Sequence, residues 1–213
     1  MTVNTLERRG AGDSLVTLAA WGLIVGALMQ VVLGIPLAGL EEASSPAHGP
    51  ITVFNVVNHL LLLAGVAGLA RAGAAGRGRL AVVGVALAVF GTLVLTLAEP
   101  VVLVNLGVAN LIFGIAVPAM ALGLILAGSA VLRERRWGGW HRFTPLACGV
   151  FIPLVLIPSF ALPGLWFHYA IGVWGILWLL FGLAMRAEAA STSYSGVVET
   201  VEAADLSRQR RAG

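Results

Sequence analysis

Within the apolar run from Ile51 to Arg71, Asn55, Asn58 and His59 are spaced so that a helix would bring them to one face, since residues three or four apart are neighbours on a helical surface. Two amides and an imidazole together can hold a polar ligand or relay a proton, and the imidazole can ligate haem. They can equally do no more than bond helix to helix, at about 0.6–2 kcal/mol for each hydrogen bond in a membrane. Glu99 is the one carboxylate near an apolar span, where it offers an acid or base for proton transfer. His168 stands among Trp166, Phe167 and Tyr169, a setting that suits an interfacial aromatic belt as well as a ligand. With two further amides near span ends, the candidate ligand-binding set is Asn55, Asn58, His59, Glu99, Asn105, Asn110 and His168.

These side chains need elements to hold them, and the composition identifies the surrounding medium. Of 213 residues, 59% are hydrophobic and 11% charged, where soluble domains carry about 25% charged residues. The mean hydropathy is +0.95. Backbone polar groups in hydrocarbon must be satisfied internally, so such a chain reads as an all-α, polytopic membrane helix bundle.

Six spans follow from runs of about 20 apolar residues, the length that crosses a bilayer core of ~30 Å. They cover about Ser14–Leu37, Ile51–Ala72, Leu80 to Leu106, Ala109–Leu132, Phe143–Leu162 and Trp166–Met185. The first run exceeds the roughly 7–15 residues of a signal-peptide core and is read as a retained helix. Residues 1–13 form a cytoplasmic tail, 14–186 the membrane domain, and 187–213 a disordered cytoplasmic tail, with a marginal helix near Val197 to Arg208. Glu99-Pro100 interrupts the third span, so the sequence predicts a break near Ala98 to Glu99, with 100–107 ending outside the helix or folding back as a re-entrant piece. Pro145, Pro153 and Pro158 predict a bent fifth span.

All 13 basic residues are arginine. Arg8 and Arg9 precede span one, and Arg71, Arg77 and Arg79 lie between spans two and three. Arg133, Arg135, Arg136 and Arg142 separate four from five, and Arg186, Arg208, Arg210 and Arg211 follow six. The alternate loops carry none, so the positive-inside rule predicts both termini in the cytoplasm of a plasma-membrane protein. The absence of lysine with abundant Ala and Gly suggests a high-GC bacterial genome. Spans two, four and six then run inward, and Asn55 to Gly68, Asn110 to Gly123 and His168 to Gly182 mark a weak threefold hairpin repeat.

With that orientation the polar residues, including Gln30, collect at the outer ends of the spans, which predicts an outer polar chamber sealed below by apolar packing. Gly65, Gly68, Gly84, Gly123, Gly172, Gly175 and Gly182 permit the close helix approach such a seal needs.

Several function classes drop out. The arginines form short blocks between spans without a basic, aromatic-interleaved face, which excludes nucleic-acid binding. A single cysteine, Cys148, allows no intramolecular disulfide and no cysteine metal site. No Asp-rich diphosphate motif, HExxH, Gly-x-Ser-x-Gly or Ser/Lys pair occurs. The best reading is a small-solute binding or transport protein in the lipid bilayer, as a homodimer or within a larger membrane complex. Three alternatives stand beside it: a redox protein holding one haem through His59 and His168, a lipid or isoprenoid enzyme using Glu99 as acid, and an accessory subunit with no site. For the enzyme, Phe54, Phe90, Tyr169 and Trp174 would flank the substrate.

Overall fold

Long apolar runs free of mid-span charge leave the chain one way to satisfy its amides, and a computed structural model of the protein shows the result as six helical crossings. It describes residues 3–38, 40 and 45–212, with side chains for 14–38, 40 and 45–191. The elements are α1 (Val3–Gly34), α2 (His48–Arg71), α3 (Arg79–Val102), α4 (Leu106–Glu134), α5 (Thr144–Phe151), α6 (Ile157–Ser159) and α7 (Trp166–Ala212). A 3-10 turn, His141–Phe143, leads into α5, and a π-turn, Ile152–Leu156, joins α5 to α6, so that these pieces form one crossing.

The crossings stand in a ring in chain order. Each packs on its sequence neighbours, and α1 closes the ring against α7. The most extensive contacts are α3 with α4 and α1 with α7. Both depend on glycine. A Cβ at Gly123 would meet the backbone of Ala88, and one at Gly34 would meet the backbone of Gly172. Without hydrocarbon-excluding water to drive them together, membrane helices gain most where backbones approach this closely.

Proline placement decides the irregular pieces. The expected break at Ala98 to Glu99 does not occur: α3 continues through Pro100 to Val102. Pro100 lies in the last turn, so it removes one backbone bond just before the helix ends in any case. The amides of Val104 and Asn105 turn back onto the carbonyl of Val101, and α4 begins at Leu106 without a re-entrant segment. In the fifth crossing, Pro153 and Pro158 lack amide donors. The stretch between them winds as the π-turn, with the Ile157 amide bonding the Ile152 carbonyl.

The last helix does not stop where the arginine and polar composition suggested. Its backbone stays helical from Trp166 to Ala212, across the region expected to be a disordered tail from 187. Glu188 explains the first part of that extension. Its Oε1 accepts from the Gly138 amide at 2.9 Å and contacts His141 Nδ1 at 2.7 Å, fastening α7 to the connection between α4 and α5. That backbone takes in the stretch near Val197 to Arg208 where a marginal helix is expected, and side chains are described only as far as Ser191.

Candidate functional site

At the arginine-free end, the ring encloses a cavity of about 800 Å³ to which all six crossings contribute side chains. Most of its polar residues come from α1, α2 and α3, interleaved with Leu33, Ile51, Leu95 and Val102, and α4 adds Asn110. Gln30 projects from α1, and α2 supplies Thr52, Asn55, Asn58 and His59 at helical spacing, with Glu99 from α3 completing the wall. Its apolar wall holds Phe113 and Val117 of α4, Phe160 after α6, and Phe167, Ile171 and Trp174 of α7.

The polar wall is tightly enclosed. Gln30 and Asn58 are each 2% exposed, His59 8% and Glu99 7%. His59 Nδ1 lies 3.3 Å from Glu99 Oε1, an ion-pair distance that links α2 to α3. The contact is not a formed hydrogen bond, and Gln30 Oε1, Asn58 Oδ1 and His59 Nδ1 are all buried without a hydrogen-bond partner. Buried polar atoms are normally paired, because leaving one unpaired costs about 1–3 kcal/mol. Three such atoms cluster on the side of the cavity formed by α1, α2 and α3, which makes this the polar part of its surroundings. Thr52 is not part of this shortage, since its hydroxyl donates to the His48 carbonyl at 2.9 Å.

Beyond the cavity the ring is filled. Leu62, Val66, Leu124, Trp178 and Phe181 are fully buried, and the Trp178 and Phe181 rings stack with centroids 5.7 Å apart. A cavity with polar residues in its lining thus stands next to a filled, apolar section of the ring. Trp174 sits at the junction, donating its indole N–H to the Cys148 carbonyl at 2.9 Å.

Of the residues singled out from sequence, Asn55, Asn58, His59, Glu99 and Asn110 line the cavity. Asn105 does not. It is the N-cap of α4, its Oδ1 accepting from the Val108 amide at 3.1 Å. His168 is also outside the lining: its carbonyl packs at Gly34, and its ring lies 5.8 Å from that of Phe167. The two histidines considered as haem ligands therefore do not share this cavity. Among the aromatics expected around a substrate, Trp174 lines the cavity, whereas Phe90 and Tyr169 face outward at 50% and 43% exposure. His48, which lies ahead of the span expected from Ile51, begins α2 and joins the lining. Phe113, Phe160 and Phe167 were missed, because an aromatic residue in an apolar span carries no mark of which way it points.

No family model, curated protein or solved structure matches the chain, so the chamber has to be read from its own chemistry.

Proposed function

We propose that this protein binds, and carries across part of the bilayer, a small amphipathic solute held in the chamber at the arginine-free end. The observation that supports this most is the division of one cavity into a polar and an aromatic wall. Its volume of about 800 Å³ falls within the ~300–1,000 Å³ of small-molecule sites. A wholly polar solute would leave Phe113, Phe160 and Phe167 against water. A wholly apolar one would leave the amides and the carboxylate of the lining against hydrocarbon. By the arginine distribution the chamber faces outward and both termini are cytoplasmic. A single ring closed at one end favours assembly as a homodimer or in a larger complex for a complete pathway.

The His59–Glu99 contact favours a second reading. A carboxylic acid beside an imidazole can give a proton to a bound lipid and take one back through the ring, which is the chemistry of an intramembrane acid–base enzyme.

The test is to purify the protein in nanodiscs with its native lipids and identify the small molecules retained above those in empty discs. A bound amphiphile retained by the native chain and lost in Asn55→Leu with Glu99→Leu supports the chamber. Chemical conversion of that molecule on incubation selects the enzyme. Retention unaffected by the two substitutions overturns both readings, leaving the accessory-subunit alternative.

A further inference from the structure

Two observations narrow the ligand beyond a small amphipathic solute. The first concerns charge and hydrogen bonding. Among the described residues, no arginine lines the cavity, and Glu99 is its one carboxylate. The amides of Gln30 and Asn58 line the same wall and, together with the carboxylate, bring hydrogen-bond acceptors to it. An anionic head group would meet a carboxylate with no arginine beside it, and of the two lining imidazoles, His48 and His59, the second already faces Glu99, an arrangement that specific sites use to reject a ligand. A head group that donates hydrogen bonds would meet acceptors already in place.

The second concerns where the cavity opens. The lining residues from α1, α2, α3 and α7 are buried or half-buried, whereas those that are exposed all lie on α4 and α6 or just beyond. They are Leu106, Asn110, Gly114 and Pro118 on one side, with Ile157 and Phe160 on the other. Among the described residues α4 and α6 make no contact with each other. Lower down the same two crossings are joined through α5, where Gly128 packs on Leu146 and Gly149 on Ile125. The π-turn separates that joined half from the parted one. At 1.5 Å per residue, Pro118 lies about 18 Å along α4 from Leu106, so the gap reaches hydrocarbon depth rather than stopping at the surface. A Cβ at Gly114 would meet nothing within 4 Å, which places this residue at the open gap.

We infer that the ligand is a single-chain amphiphile whose head donates hydrogen bonds and carries no negative charge, and that it enters sideways from the bilayer between α4 and α6. The head comes to rest against Glu99, Asn58 and Gln30, and the chain lies against Phe113 and Phe160. This rests on the ligand-chamber reading above.

The experiment uses the full chain in nanodiscs and measures retention of three radiolabelled probes of equal chain length, dodecylamine, dodecanol and dodecanoate, each corrected for empty discs. Dodecylamine and dodecanol should bind, and dodecanoate should bind at least about tenfold more weakly, equivalent to ~1.4 kcal/mol. Gly114→Trp, whose side chain would grow into open space, should slow dodecylamine capture at least about tenfold while the helical content and melting temperature stay as in the native chain. Glu99→Gln should narrow the gap between amine and carboxylate. Dodecanoate binding as well as dodecylamine would overturn the head-group assignment. Unchanged capture in a folded Gly114→Trp variant would overturn the lateral route. Failure of all three probes to bind above empty discs would instead remove the underlying chamber reading.

Discussion

His59 of α2 places its Nδ1 3.3 Å from Oε1 of Glu99 on α3, and both side chains are about nine-tenths buried. Two polar groups that would be costly on separate lipid-facing helices are made tolerable by facing each other. The pair therefore serves the α2–α3 contact as well as the chamber.

That double role has a thermodynamic signature. His59→Gln and Glu99→Gln should each lower stability in bicelles by about 1–2 kcal/mol, and the double variant by less than their sum. Equilibrium unfolding of the four proteins measures the coupling. Strictly additive losses would mean that the contact contributes nothing.

Glycine positions should differ sharply in what they tolerate. Gly123→Leu would drive a side chain into the backbone of Ala88 and force α3 away from α4, lowering stability by more than about 2 kcal/mol. Gly114→Leu enters open space and should stay within about 0.5 kcal/mol of the native chain. Melting curves in a mild detergent check the contrast, and similar losses at both sites would contradict the packing described.

The fastening at Glu188 separates two truncations that the sequence alone would treat as equivalent. Ending the chain after Ser191 keeps the contacts to Gly138 and His141, whereas ending it after Arg186 removes them. The shorter protein, like Glu188→Ala, should lose about 1–3 kcal/mol and be cut faster by trypsin at Arg135, Arg136 or Arg142. Equal cleavage of all forms would show that the connection is held by other means.

Orientation can be settled by labelling. Cys148 is buried and gives little background, so Ser45→Cys should react with an impermeant maleimide in intact cells. Gly76→Cys, in the turn between α2 and α3, should react only after permeabilisation. The reverse pattern would put the chamber on the cytoplasmic side.

What could be seen in the sequence was set by the solvent. Hydrocarbon forces helices, so the six crossings follow from apolar length alone, and rare polar residues stand out as Asn55, Asn58, His59, Glu99 and Asn110 do. Helical spacing could bring the first three to one face, but no local pattern could tie His59 to Glu99, which belongs to a different helix. Asn105 illustrates the converse difficulty: an amide beside a span has the same appearance whether it faces a ligand or caps a helix. Pro100 was overweighted, because a proline breaks a helix only where the chain would otherwise have continued. Glu188 gave no signal because its partners, Gly138 and His141, lie in another loop, and composition alone made its surroundings look like the start of a tail.

The closure of the ring by α1 and α7 has a consequence for biogenesis. Ribosomes deliver the helices one after another, so α1 must wait in the bilayer until the last crossing has been made. Throughout that interval Gln30, His59 and Glu99 belong to an open arc, exposed to lipid or to whatever chaperone shields them. The chamber comes into being only when the final helix arrives, and a chain that stops before Trp166 leaves these polar groups uncovered.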